Sequence, residues 1–103
     1  MRVFEQLQKI GGLPGNVLDV WQATGEREHA KYTWDMSRND NLGMSGRFKP
    51  RLRFDRMLVR FPKDETATKF KPVYFELVGL SRIRACGRFP SDHWGIMGHL
   101  DRT

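Results

Sequence analysis

Residues 87–97 read GRFPSDHWGIM. This stretch places a carboxylate, an imidazole and an indole side by side, between a proline turn and an apolar run that is typical of a β-strand. Adjacent residues of an extended chain point to opposite sides, so Asp92 and His93 are expected to approach a site from different directions. Taken alone, the pair fits an ordinary turn or the end of an active site.

The apolar pattern around this stretch predicts an α/β chain. We expect a helix over residues 2–10 and a second one that begins after Asn16, its N-cap, and stops at Gly25. Four short strands are predicted, at residues 31–36, 51–61, 73–80 and 94–100. Two helices and four strands do not cover a sheet on both faces, so we expect this chain to be part of a larger fold.

Composition limits the classes of protein that the chain can belong to. Its 103 residues allow one small domain, and its formal charge of +6 with a pI of about 10.0 suits an anionic partner such as nucleic acid. A soluble surface rich in arginine is the alternative explanation of that charge. Cys86 is the single cysteine, which excludes an internal disulfide and favours a reducing compartment. No membrane span and no signal peptide are predicted, so we expect an intracellular protein.

Asp55 is unexpected because it interrupts the most apolar strand, RLRFDRMLVRF at residues 51–61. Burying an unpaired carboxylate is costly, so Asp55 must face solvent or have a partner. The flanking Arg53 and Arg56 are one choice of partner. The other is His93 on a neighbouring strand, whose ring tautomer a hydrogen bond to Asp55 would fix.

An aromatic residue beside a polar loop gives a second candidate site. Trp34 lies in YTWD, and the loop at residues 37–50 shows Leu42 and Met44 among asparagines and glycines. Such a surface can stack against a nucleic-acid base, although a Trp in a strand is more often part of the core. The sequence contains neither a glycine-rich phosphate loop nor a Cys/His metal set.

The segments GGLPGNVLDVW, YTWD, NDNLGM, RLRFDR and CGRFPSDHWGIM, in this order, resemble the C-terminal part of the 5′-tyrosyl-DNA phosphodiesterases. This family belongs to the endonuclease/exonuclease/phosphatase superfamily, and the resemblance runs from Gly11 to Leu100. It implies that residues 1–103 form the C-terminal part of one catalytic domain. That domain is a four-layer α/β sandwich, two packed sheets flanked by helices, which would be incomplete in this chain.

The resemblance also implies roles for particular residues. His93 would contact the scissile phosphate and stabilise its developing charge, and Asp55 would orient His93. Asp92 would lie on the metal and water side, as an indirect or minor metal contact. The residues expected to bind the 5′-terminal nucleotide of the DNA are Trp34, Asn41, Leu42, Met44 and Phe54.

The function implied is Mg²⁺-dependent hydrolysis, with Mn²⁺ as an alternative ion, of the bond between a topoisomerase tyrosine and a DNA 5′ phosphate. We therefore expect a DNA-repair enzyme that acts as a monomer in the nucleus, and also in the cytoplasm, on DNA with a topoisomerase-derived peptide. The family's acidic metal ligand, its first Asn and its G-D-x-N motif would precede Met1, so the chain alone is expected to be inactive. Two alternatives stay open: another phosphodiesterase or nuclease of the superfamily, and a noncatalytic module that binds nucleic-acid ends.

Overall fold

The structure is a computed structural model that describes residues 13, 15–43, 49–64 and 66–102. Within these ranges the chain forms six strands, one α-helix and a 3-10 turn. In chain order they are β1 (Val17–Asp19), α1 (Val20–Ala23), the 3-10 turn (Glu28–Ala30), β2 (Trp34–Asp35), β3 (Arg51–Leu52), β4 (Leu58–Arg60), β5 (Phe70–Val78) and β6 (Gly95–Arg102). The helix predicted at residues 2–10 lies outside the described residues.

The strands pair antiparallel in three two-stranded sheets, β1 with β4, β2 with β3 and β5 with β6. The β5–β6 hairpin is the largest of them, and Phe75 of β5 lies opposite Gly98 of β6. Its register shifts between Pro72 and Tyr74. Proline has no N–H to donate to the ladder, which accounts for an irregularity at this point.

The hydrophobic core lies between α1 and one face of the β5–β6 hairpin. Side chains alternate along a strand, so Phe75 and Leu77 of β5 share the face that meets the helix. Trp94, just before β6, closes the same cluster. The buried members of the core are Val20, Trp21, Ala30, Phe75, Leu77 and Trp94.

The start of α1 differs from the prediction. Asp19, and not Asn16, is the N-cap, and its carboxylate accepts hydrogen bonds from the amides of Trp21 at 3.0 Å and Gln22 at 3.4 Å. Asn16 instead donates its side-chain amide to the carbonyl of Phe61 at 3.2 Å. Pairing with β4 draws residues 17–19 into a strand, and this tertiary contact overrides the helical spacing.

The predicted strand at residues 51–61 is divided into β3 and β4 by an irregular segment, residues 53–57. The alternation of apolar residues slips at Asp55, which lies in this break. The amides of Phe54 and Asp55 are not in a strand ladder, because they donate to the hydroxyl of Thr33. The break therefore has a specific hydrogen-bonding cause.

Part of the apolar surface of the β5–β6 hairpin is uncovered. The exposed large apolar side chains of the two strands are Phe70, Val73, Tyr74, Val78, Met97 and Leu100. The Cα radius of gyration is 16.5 Å, against about 13 Å for a compact domain of this length. The described chain is a small, sheet-rich α/β unit with exposed apolar side chains on its β5–β6 hairpin. None of its described helices has the length and apolarity needed to cross a membrane.

Candidate active site

His93 and Asp55 form a direct side-chain contact. His93 Nδ1 lies 2.5 Å from Asp55 Oδ2, so the turn before β6 meets the break between β3 and β4. An ionised carboxylate can only accept, so geometry assigns the proton to Nδ1. The side chains are 37% and 41% exposed, which leaves the pair open to a substrate. This pairing is one of the alternatives that the sequence left open, and it is confirmed.

The arginines that flank Asp55 make a different ion pair. Arg53 donates to Oδ1 of Asp19, and Arg56 Nη1 lies 3.9 Å from the other carboxylate oxygen. Burial and the charge of Arg53 lower the pKa of Arg56 from its usual value, while Asp19 acts in the opposite direction. Asp19 therefore compensates both guanidinium groups and leaves Asp55 to His93.

Asp92 lies on the other side of the imidazole ring. Its Oδ2 is 4.0 Å from His93 Nε2, and the hydroxyl of Ser91 accepts a hydrogen bond from the His93 amide at 3.1 Å. Residues 92–93 form a bend before β6, not extended chain. The Asp92 carboxylate therefore turns towards the ring and does not diverge from it as expected.

A row of three rings leads from the imidazole to the indole of Trp34. The centroids of Phe54 and His93 are 5.9 Å apart with their planes at 28°, and those of Trp34 and Phe54 are 5.3 Å apart at 34°. Trp34 and Phe54 are both partly exposed. Leu42 is 50% exposed in the loop after β2, and Met44 lies outside the described residues. The structure thus brings two of the predicted nucleotide-binding residues to the His93–Asp55 pair.

Asn41 holds the backbone of the turn that carries the predicted catalytic residues. Its side-chain amide donates to the carbonyl of Phe89 at 2.7 Å, and its side-chain oxygen accepts from the Phe89 amide at 2.9 Å. The two bonds imitate a backbone pair between strands. A contact of Asn41 with DNA stays a prediction.

Two buried polar residues at this site were not singled out from the sequence. Asn39 is 1% exposed and donates its side-chain amide to the carbonyl of Ser91 at 2.8 Å. Thr33 is 0% exposed and bonds both to the Asp55 segment and to Trp94. The asparagine-rich loop was a signal for Asn39, whereas nothing in the local sequence distinguishes Thr33.

An exposed ion pair joins the loop after β2 to the loop after β5. Arg82 forms a two-pronged contact with the carboxylate of Asp40, at 2.9 and 3.1 Å. The hydrogen bond from Arg82 lowers the pKa of Asp40 below its usual range. The contact adds to those of Asn39 and Asn41, so each of residues 39–41 is bonded to the loop after β5.

The described residues do not by themselves fit a magnesium ion. Among them, no group of three or more His, Cys, Asp or Glu side chains is placed to hold a metal. Mg²⁺ requires octahedral oxygen coordination, which no such group of described side chains supplies. The roles derived below therefore concern only side chains of this chain.

Comparison with known proteins gives relatives along nearly the whole chain. No family model matches it. Tyrosyl-DNA phosphodiesterase 2 from Xenopus laevis is 44% identical over 97 residues, which are 94% of this chain and 25% of the relative. The human protein of that name is 44% identical over 96 residues, 93% of this chain and 25% of its own length.

Solved structures match the fold as well. A crystal structure of the D. rerio protein complexed with single-strand DNA product superposes with a TM-score of 0.80 and 40% identity, covering 93% of this chain and 36% of that one. The C. elegans protein gives a TM-score of 0.69 and 36% identity over 88% of this chain and 25% of its own.

The chain is therefore similar to a family of phosphodiesterase hydrolases. Within this class it matches a C-terminal part of tyrosyl-DNA phosphodiesterase 2, as the motifs predicted. It spans about a quarter of the length of the curated relatives that it matches.

Proposed function

We propose that the chain supplies one side of the active site of a Mg²⁺-dependent 5′-tyrosyl-DNA phosphodiesterase. The enzyme would hydrolyse the bond between a topoisomerase tyrosine and a DNA 5′ phosphate during DNA repair. The observation that carries the proposal is the 2.5 Å contact between His93 Nδ1 and Asp55 Oδ2, at the end of an exposed row of aromatic rings. DNA as the substrate favours action in the nucleus, with the cytoplasm as the alternative.

His93 would act on the phosphate through Nε2. Because Nδ1 is engaged by Asp55, Nε2 is the ring nitrogen left to face a substrate. From a protonated ring, Nε2–H would donate to a phosphoryl oxygen and stabilise the charge that develops as water attacks phosphorus and the phenolate leaves. Asp55 would hold the ring in the orientation that this donation needs, with Nε2 towards the phosphate.

The metal would be held mainly by residues outside the described part of the chain. When bound, Mg²⁺ or Mn²⁺ would supply positive charge to the phosphate oxygens. Asp92, exposed and 4.0 Å from His93 Nε2, would contribute at most an indirect or minor contact.

The aromatic row would bind the 5′-terminal nucleotide. Trp34 and Phe54 offer partly exposed ring faces 5.3 Å apart, and stacking on such a ring is worth about 1–3 kcal/mol per base. Asn41, Leu42 and Met44 would complete this nucleotide-binding surface. The solved relative with single-strand DNA product supports DNA as the class of ligand.

The rest of the catalytic domain would cover the exposed apolar side chains of the β5–β6 hairpin. We propose that residues 1–103 form the C-terminal portion of a four-layer α/β sandwich, which functions as a monomer. Two observations support this: the exposed apolar side chains of that hairpin, and the 25% share of the relatives that the chain spans. The chain by itself would then be inactive.

The test compares the chain with a chimera in which it replaces the 97 matched residues of the Xenopus laevis protein. Each is incubated with a 5′-phosphotyrosyl oligonucleotide and Mg²⁺. We expect the chimera to release tyrosine and the 103-residue chain not to do so. His93→Ala should lower the rate of the chimera by roughly 10³-fold. His99→Ala is the matched control, because His99 lies on β6, 53% exposed and 3.7 Å from Glu76.

An active chimera that retains its rate in His93→Ala would contradict the proposed role of this residue. Hydrolysis by the chain alone would contradict its incompleteness. Faster cleavage of abasic-site DNA or of a phosphodiester lipid would assign the chimera to another phosphodiesterase class. Salt-dependent DNA binding without metal that survives His93→Ala, together with an inactive chimera, would indicate a noncatalytic end-binding module.

A further inference from the structure

We propose that Thr33 is the positioning residue that sets the distance between His93 and Asp55. The effect of Thr33 on catalysis rests on the proposed function, whereas its structural role in joining the two segments does not. Thr33 immediately precedes β2 and is 0% exposed. Its hydroxyl and its backbone carbonyl bond to two different segments, each of which carries one member of the pair.

The hydroxyl fixes the segment of Asp55. Thr33 Oγ1 accepts hydrogen bonds from two consecutive amides, those of Phe54 at 3.0 Å and Asp55 at 2.9 Å. A hydroxyl oxygen has two lone pairs, so both are used here. Because residues 53–57 lie in the break between β3 and β4, these bonds replace the strand ladder as the support of the Asp55 backbone.

The carbonyl fixes the segment of His93. The amide of Trp94 donates to the carbonyl oxygen of Thr33 at 2.7 Å, one residue beyond His93. Three hydrogen bonds accepted by one buried residue thus join two segments whose side chains meet at 2.5 Å. A hydrogen bond weakens when its donor and acceptor separate beyond about 3.2 Å, so this contact tolerates little relative movement.

Two substitutions separate the hydroxyl from the shape of the side chain. Thr33→Val keeps the branched shape but has no acceptor, which leaves the amides of Phe54 and Asp55 unsatisfied. Thr33→Ser keeps the acceptor and removes only a methyl group. Thr24→Val is the matched control: Thr24 donates its hydroxyl to the Val20 carbonyl at 2.8 Å at the end of α1, away from the pair.

The first measurement is the NMR signal of the His93 Nδ1 proton in the ¹⁵N-labelled 103-residue chain. We expect this proton to exchange with water at least about tenfold faster in Thr33→Val, and to stay within about threefold of wild type in Thr33→Ser and Thr24→Val. A folded Thr33→Val protein that keeps the wild-type exchange rate would overturn the proposal.

A measurement on the wild-type chain decides the matter if Thr33→Val does not fold. The amides of Phe54, Asp55 and Trp94 all bond to Thr33, so they should exchange through one opening, with protection factors that agree within about threefold. Exchange of the Phe54 and Asp55 amides more than about tenfold faster than that of Trp94 would show that Thr33 does not join the two segments.

The catalytic consequence is measured in the chimera. Thr33→Val should lower kcat by about 10- to 100-fold with KM close to wild type, and Thr33→Ser should restore most of kcat. A raised KM with unchanged kcat would contradict a positioning role. If the wild-type chimera is inactive, the proposed function fails, whereas the proton exchange of His93 still decides the role of Thr33.

Discussion

Asp19→Asn tests whether the buried ion pair beside the site stabilises the fold. Asp19 is 3% exposed, caps α1 and accepts from Arg53, whose side chain is 10% exposed. Arg56, 22% exposed, has a guanidinium nitrogen 3.9 Å from the same carboxylate. The substitution removes one negative charge from between two positive ones and changes little else in size.

The expected loss in the free energy of unfolding is about 3 kcal/mol. Breaking a buried ion pair by removing one partner costs roughly 3–5 kcal/mol, and the partial exposure of Arg56 places this case at the lower end. Asparagine keeps an oxygen that can accept from the Trp21 amide, so the cap itself contributes little to the difference. Arg53→Met should recover part of the loss, because it removes the charge left without compensation.

The assay is urea unfolding at pH 7, followed by tryptophan fluorescence, to which the buried Trp21 and Trp94 contribute. With a slope of about 1–1.5 kcal/mol per molar urea, the Asp19→Asn midpoint should fall by roughly 2–3 M. Asp101→Asn, the same chemical change at an exposed position of β6, should alter stability by less than about 0.5 kcal/mol. The reasoning would be refuted if Asp19→Asn lowered the urea midpoint by less than about 0.5 M. It would also be refuted if adding Arg53→Met to Asp19→Asn recovered none of the lost stability.

Three further changes test other contacts. Arg82 lowers the pKa of Asp40, so their pair contributes stability above the ordinary aspartate pKa and loses it as pH falls through the lower folded-state value. Arg82→Gln should therefore lower the urea midpoint at pH 7 but not in strong acid; an equal loss at both pH values would contradict this. In Gly95→Ala the new Cβ would lie 2.7 Å from Cγ2 of the branched Val78, and calorimetry should show a loss of about 1–3 kcal/mol. In Asn41→Ala, hydrogen exchange should show faster exchange in the turn that it holds, and an unchanged rate there would count against that contact.

The sequence predicted the His93–Asp55 contact as one of two alternatives. Burying a carboxylate in an apolar run is costly unless it has a partner. The candidate partners were the adjacent arginines, Arg53 and Arg56, and His93 of the Ser-Asp-His motif. The sequence did not indicate that Asp19 would pair with Arg53 and Arg56, the alternative partners of Asp55. Asp19 is far from these arginines along the chain, so no local pattern predicts the contact.

The break at residues 53–57 shows a second limit of sequence patterns. Apolar alternation predicted one strand over residues 51–61 and marked a slip at Asp55, but it did not indicate what the freed amides would bond to. The acceptor is Thr33, about twenty residues earlier in the chain. A threonine next to a strand is common, and only the fold distinguishes this one.

The proposed reaction needs an oriented His93 ring and a bound metal, and these two requirements depend on different parts of the domain. Within the described residues His93 is bonded to Asp55, and Thr33 accepts from the amides of Asp55 and Trp94, so the orientation of the imidazole needs no further segment. A metal ion, by contrast, would need ligands from elsewhere, because the described residues include no group of three or more His, Cys, Asp or Glu side chains placed to hold one. On the proposed function, ring orientation would therefore be set within this chain, and the metal would be held mainly by the rest of the domain. The His93 Nδ1 proton should then have the same exchange rate in the chain and in the chimera, although only the chimera hydrolyses the substrate. A proton that is protected only in the chimera would show that the rest of the domain orients the ring as well.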